Sequence, residues 1–254
     1  EPVIVCGKCD ACRRGEYGYC ENISFTYRNG DGAMADYITV QEPYVYRLPE
    51  GMSYNAGALI EPLSVAVHAV RRAGVKLGDK VVIIGSGAIG MLVAAVCRRS
   101  GATDIAVADH HDSRLSLALK MGATAAINSK KVDFDRAVEE FTGGTGVDKT
   151  FECVGTEATF NQAMTSLRKG GLATVIGIFE HPQITINAAR FITHEIRVQG
   201  AQGYCWDFPI SIRVAQEIDL EKIITHEFKL DELQKALLTC IDRESGAVKV
   251  ILHP

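Results

Sequence analysis

From about residue 64 the chain alternates two apolar patterns. Val81 to Ile84 is a continuous apolar run, as expected of a strand buried on both faces of a parallel sheet. Ala88 to Arg99 follows as a helix stopped by Ser100-Gly101. The same rhythm predicts strands at Asp104–Ala108, Ala125–Asn128, Lys149–Val154, Leu172–Ile178 and Ile196–Gln199. Between them it predicts helices at Ser113–Met121, Phe134–Phe141 and Glu157–Arg168, closed by Gly122, Gly143-Gly144 and Gly170-Gly171. Strand and helix in alternation imply an α/β fold with a doubly wound parallel sheet.

The ends of the chain have another texture. Residues 1–63 are irregular and strand-rich. Ala35 to Val40 alternates and predicts a strand, and Val45 to Leu48 runs into the turn signal Pro49-Glu50-Gly51. Glu1 to Cys6 reads as a strand entered in mid-course. Residues 206–254 predict a helix near Pro209–Ile218, a strand at Ile224–Phe228, a helix at Leu230–Asp242 and a last strand at Ala247–Leu252.

Charge narrows the partners. Lys and Arg number 27 against 31 Asp and Glu, a net charge of -4. The basic pairs Arg13-Arg14, Arg71-Arg72 and Arg98-Arg99 are short and scattered. Phosphate backbones and anionic membranes need clustered cations, so neither nucleic acid nor membrane is expected as partner. No apolar run reaches the roughly 20 residues of a membrane span. Cys97, Cys153, Cys205 and Cys240 are dispersed, as reduced thiols of a cytosolic protein would be.

Two motifs carry chemistry. Gly85-Ser86-Gly87-Ala88-Ile89-Gly90 fits G-x-G-x-x-G between a predicted strand and a predicted helix, the context that makes the pattern informative. Gly85 serves the tight turn, Gly87 lets the backbone approach a pyrophosphate, and Gly90 lets helix and strand pack closely. Phosphates would sit at the helix N-terminus, where free N–H groups favour anions. Asp109 ends the next strand, where a carboxylate accepts the ribose hydroxyls of NAD and repels the 2′-phosphate of NADP. His110, His111 and Arg114 follow and soften that repulsion; NAD is the expected cofactor. The alternative is a structural glycine turn that binds another nucleotide or none.

Cys6, Cys9, Cys12 and Cys20 form C-x2-C-x2-C-x7-C. Four thiolates at this spacing can wrap one tetrahedral Zn²⁺, and a site with four protein ligands is closed and structural. A redox pair, disulfides or an iron–sulfur cluster are the alternatives, and zinc is preferred.

Taken together, the cysteine lobe, the phrase G-A-L-I-E-P-L-S-V-A-V-H-A-V from Gly57 to Val70, the turn G-S-G-A-I-G and Asp109 resemble the zinc-containing medium-chain alcohol dehydrogenases. Gly57 to Val70, Phe151 to Gly155 and Ile224 to Phe228 are most similar to the sorbitol, butanediol and threonine dehydrogenase branch. The resemblance implies a Rossmann NAD-binding domain at 64–205 set into a β-rich, GroES-like catalytic domain whose parts are 1–63 and 206–254. It implies Val154 and Ile178 as further cofactor contacts and Arg114 beside the adenosine. It implies Glu61 at a catalytic zinc, directly or through water, with the other ligands, a Cys and a His-Glu pair, upstream of Glu1. The chain is therefore expected to begin partway through the catalytic domain.

Sorbitol dehydrogenases carry an Arg-Tyr pair where this chain has Gly203-Tyr204. Tyr204 remains a candidate substrate contact, while loss of the Arg shifts the expectation toward a smaller or less polar diol. The expected activity is interconversion of a secondary alcohol and a ketone, in a homotetramer or homodimer. The competing readings are a zinc-free reductase on the same scaffold, an inactive NAD-binding fragment, and threonine as substrate.

Overall fold

The computed structural model describes residues 1–26, 32–242 and 244–254. In chain order the elements are β1 (Val3–Ile4), α1 (Asp10–Arg13), β2 (Ser24–Phe25), α2 (Tyr54–Ala58), α3 (Ile60–Ala73), β3 (Lys80–Ile84), α4 (Ala88–Arg99) and β4 (Asp104–Asp109). Then come α5 (Asp112–Lys120), β5 (Ala125–Asn128), α6 (Phe134–Thr142), β6 (Val147–Glu152), α7 (Glu157–Thr165), β7 (Leu167–Val175), α8 (Ala189–Thr193) and β8 (Arg197–Gly200). The chain closes with α9 (Phe208–Ala215), β9 (Ile224–Lys229), α10 (Leu233–Ile241) and β10 (Lys249–His253). Contacts divide it into two units: Val65–Gln202, and the paired segments Glu1–Ser64 and Gly203–Pro254.

The Val65–Gln202 unit is a six-stranded sheet in the order β5-β4-β3-β6-β7-β8, parallel throughout. β3 sits centrally because its run Val81–Ile84 is buried on both faces, and Ile83 lies beside Val107 on one side and Phe151 on the other. The order reverses at β3, whose neighbours are β4 and β6. A crevice opens beyond the carboxyl ends of the strands at such a point. One core cluster joins Val82, Ile84 and Ala106 of the sheet to Phe134, Val138, Ala163 and Met164 of α6 and α7. Local signals agree with these elements. Asp133 caps α6 by accepting the Arg136 N–H at 2.8 Å, and Gly143 ends that helix in the left-handed region at φ 64°. Thr156 and Thr159 form a reciprocal cap on α7.

The other unit contains two small sheets: β1 antiparallel to β2, and β10 parallel to β9. Its core draws on Leu59, Ile60, Leu63, Leu220 and Ile223. Ser53 caps α2 by accepting the Ala56 N–H at 3.0 Å.

Four sequence expectations are corrected. Ala35–Val40 is not a strand: Tyr37 is 92% and Ile38 40% exposed, and no described strand pairs with the segment. Alternation makes a strand only where a neighbour accepts its ladder. The helix expected to reach Arg168 stops at Thr165, because Leu167 is buried and pairs with Val147 as the first residue of β7. That strand absorbs Gly170-Gly171 in a register shift and ends at Val175, short of Ile178. The last helix is shorter than Leu230–Asp242: Leu230–Glu232 is a 3-10 turn, and the α-helix begins at Leu233.

Candidate functional site

The glycine turn joins β3 to α4 at the crevice. Gly85 has φ 98°, which glycine adopts without strain. A Cβ on Gly90 would lie 1.9 Å from the Gly85 carbonyl oxygen, so only glycine lets α4 seat against the turn. Gly87 is the reverse case: a Cβ there would meet nothing within 4 Å. Its outer flank is an open cradle beside the first turn of α4, Ala88-Ile89-Gly90. Dinucleotide phosphates fit such a flank, since the N–H groups of a helix's first turn have no partner within the helix.

Asp109, at the end of β4, braces the turn. Its Oδ2 accepts the Ser86 N–H at 2.8 Å, and its Oδ1 accepts the N–H groups of His110 (2.7 Å) and His111 (3.0 Å). The His111 ring lies 3.1 Å from Oδ1. Burial raises the carboxyl's pKa, but these donors outweigh burial and hold it below the usual range. The Ser86 hydroxyl donates to the Arg114 carbonyl at 3.1 Å, which fastens the turn to the start of α5 and leaves Arg114 half-buried beside it.

After β6 the chain turns at 153–155 around Glu152. This residue is fully buried; its Oε1 accepts the N–H groups of Val154 and Gly155, both at 2.8 Å, while Oε2 has no partner among the described residues. A Cβ on Gly155 would lie 2.3 Å from the Ile178 carbonyl oxygen, and one on Gly85 2.7 Å from a Val154 methyl. The turn therefore brings Val154 (45% exposed) and Ile178 (90% exposed) together beside the glycine turn. Sequence reasoning named both residues but missed Glu152, whose only signal was a carboxylate inside the expected strand Lys149–Val154.

In the second unit, the sulfur atoms of Cys6, Cys9, Cys12 and Cys20 all lie within 4.8 Å of one another. A tetrahedral Zn²⁺ with Zn–S bonds of about 2.3 Å needs sulfurs about 3.8 Å apart, so the donor set fits the ion after a small contraction. The Cys9 N–H points at the Cys6 sulfur (3.4 Å) and the Cys6 N–H at the Cys20 sulfur (3.3 Å). The N–H groups of Lys8 and Cys9 lower the Cys6 pKa to about 6, while burial and its neighbours push Cys12 up to about 12. Among the described residues this is the only group of three or more Cys, His, Asp or Glu placed to hold a metal.

Glu61 lies in the first turn of α3, partly buried. Burial raises its pKa, and the charge of Lys249 and the Tyr204 hydroxyl partly offset the rise. Tyr204 is 4% exposed, and its phenol is pushed up by burial and by the Glu61 charge. The Tyr204 hydroxyl is close enough for that mutual influence, yet among the described residues it makes no hydrogen bond of good geometry. A partly buried carboxyl and a buried phenol with no partner among the described residues together mark a place for a polar occupant. Glu61 could give a catalytic zinc one oxygen ligand; the described residues do not assemble the rest of a set.

The pattern of the family described as zinc-binding dehydrogenase matches residues 88–217, and that of the alcohol dehydrogenase GroES-like domain matches residues 1–50. Sorbitol dehydrogenase from Bacillus subtilis is 32% identical over 257 residues, covering 100% of this chain and 73% of its own length. The crystal structure of 2R,3R-butanediol dehydrogenase from Bacillus subtilis superimposes with a TM-score of 0.89 at 31% identity, covering 100% of this chain and 72% of the other. A zinc-binding dehydrogenase from Sinorhizobium meliloti 1021, solved with NADP, gives a TM-score of 0.93 at 28% identity, covering 100% and 75%. The chain belongs to the zinc-containing medium-chain alcohol dehydrogenase family. Among its described residues, no helix is long and apolar enough to cross a membrane.

Proposed function

We propose that the protein oxidises a secondary alcohol of a small diol or polyol to the ketone, reversibly, with NAD. The observation that carries this reading is the open flank of Gly87 beside the Asp109 carboxylate, a cradle for a dinucleotide whose ribose hydroxyls meet an acceptor. Bound NAD would supply the hydride acceptor, and a zinc ion at the alcohol would lower the pKa of the hydroxyl.

The chain's own residues bind and orient. The turn Gly85, Gly87, Ala88, Ile89 and Gly90 receives the phosphates, Asp109 the ribose and Arg114 the adenosine side. Val154 and Ile178 give the nicotinamide an apolar bed. Cys6, Cys9, Cys12 and Cys20 hold one structural zinc. Glu61 supplies an oxygen ligand at the alcohol, and the Tyr204 hydroxyl donates to the substrate's polar groups. Sorbitol and butanediol dehydrogenase relatives support a diol or polyol; glycine at 203 favours a diol smaller than sorbitol. Asp109 favours NAD, although one neighbouring structure holds NADP. We read the protein as a cytosolic homo-oligomer, a dimer or tetramer, testable by light scattering on the eluting protein.

The test is NADH formation by the purified native protein, zinc-replete, over a panel of diols, polyols and threonine with NAD and with NADP. Intact mass of the same sample tests for the upstream zinc ligands that the family resemblance implies. Diol-dependent NADH formation that a chelator abolishes is expected. Reduction of an activated alkene without metal would favour the zinc-free reductase, and NAD binding with no turnover of any substrate the non-catalytic reading.

A further inference from the structure

Tyr204 is held from two directions, and one of them is the four-cysteine lobe. Trp206 stands in the left-handed region at φ 63°, a strained conformation for a bulky aromatic residue that persists only where its surroundings impose it. The lobe imposes it. The Trp206 backbone N–H donates to the Tyr17 hydroxyl at 2.9 Å, and the indole Nε1–H donates to the Gly15 carbonyl at 2.5 Å. The two rings meet edge to face, centroids 4.9 Å apart. The Cys205 sulfur also donates to the Gly15 carbonyl, at 3.6 Å. A Cβ on Gly18 would lie 3.2 Å from the Tyr204 carbonyl oxygen and 3.3 Å from the Cys205 Cβ, so the lobe backbone rests directly on this segment.

The second direction closes a ring. Tyr17 donates to one carboxylate oxygen of Glu1 at 2.5 Å, and Tyr46 donates to the other at 2.9 Å. Tyr46 stacks on Phe208 (5.4 Å), and Phe208 meets Tyr204 edge to face (5.0 Å). Gly15, Tyr17 and Gly18 all lie between Cys12 and Cys20, on a loop that a metal held by the four thiolates would shape.

We infer that Tyr17, Glu1 and Trp206 are positioning residues, which transmit the order of the metal-bound lobe to Tyr204 and so set its hydroxyl against Glu61. The inference rests on the reading of Glu61 and Tyr204 as the substrate end of the enzyme. It gives the lobe a role in the pocket beyond stability.

The experiment uses the native zinc-loaded protein with 3-fluorotyrosine in place of tyrosine. The Tyr204 ¹⁹F resonance is assigned with Tyr204→Phe. Trp206 is the single tryptophan of the sequence, so its emission, isolated by difference from Trp206→Phe, reports on the lobe. Withdrawing the lobe zinc with a chelator should shift the Trp206 emission to the red and move or broaden the Tyr204 resonance in step with zinc release. Zinc-loaded Tyr17→Phe, which removes only the bridging hydroxyl, should move the Tyr204 resonance while zinc content and circular dichroism stay at wild-type values. If Tyr17→Phe does not fold, Trp206→Phe serves: it keeps an aromatic ring and the backbone N–H, and loses the Nε1–H bond together with half of the indole. A Tyr204 resonance at its wild-type position in a folded variant, or after zinc release, overturns the inference. No substrate or cofactor is present, so the outcome is independent of whether the dehydrogenase assay succeeds.

Discussion

Gly87→Ala separates folding from cofactor binding at one atom. Gly87 has φ −76° and ψ −174°, an extended conformation open to alanine, and the new Cβ meets nothing within 4 Å. Two small effects oppose each other in the free protein. Replacing glycine at a compatible site stabilises by about 0.4–1 kcal/mol through the unfolded chain. Alanine is a poorer N-cap than glycine, which costs a similar amount. The net change should be within about 1 kcal/mol, or roughly 4 °C in Tm for a unit of this size. On the proposed binding mode the same methyl would occupy the space that the pyrophosphate needs. NAD affinity should fall at least about tenfold, roughly 1.4 kcal/mol. Gly90→Ala is the control of opposite sign. Its Cβ would lie 1.9 Å from the Gly85 oxygen, and α4 has eight buried residues from Gly90 to Cys97, so the helix cannot retreat freely. Overpacking of about 1–3 kcal/mol or more should lower Tm before any cofactor is added. Calorimetric titration with NAD and a thermal melt, run on both variants, decide the matter. A Gly87→Ala protein that binds NAD with wild-type affinity would refute the cradle.

Three further outcomes follow from the other sites. Metal-free protein should be alkylated first at Cys6, whose pKa of about 6 leaves it a thiolate at neutral pH, and stoichiometric zinc should block the reaction; peptide mass mapping after brief iodoacetamide treatment reads this. Asp109→Asn should raise NADP affinity relative to NAD by about tenfold, and should cost about 1–3 kcal/mol at neutral pH by weakening the bonds to Ser86, His110 and His111. The pKa of Asp109 is depressed in the fold, so its stabilisation is present above the unfolded value near 3.9 and is lost as pH falls through the folded value; the variant's acid-unfolding limb should be shallower than the wild type's. Glu61→Gln should lower turnover roughly 10–100-fold while NAD affinity stays unchanged, separable by steady-state kinetics and calorimetry; unaltered turnover would remove Glu61 from the reaction.

The α/β class was legible because a strand buried on both faces and a helix closed by glycine leave different local signatures. Ala88–Arg99 and Ala125–Asn128 stand at the ends that their residues predict. Elements that depend on a distant partner were not legible in this way: Ala35–Val40 alternates without forming a strand, and Leu167 belongs to β7 because Val147 lies beside it. The motif residues could be named from spacing alone, since the glycine turn and the cysteine lobe are built from neighbours in sequence. Tertiary structure alone put Tyr204 within reach of the Glu61 charge and closed the ring from Glu1 through Tyr17 and Trp206 to Tyr204. The links from Tyr17 to Trp206 and from Glu61 to Tyr204 span large separations in the chain. Burial and packing choose such partners, and no local pattern records the choice.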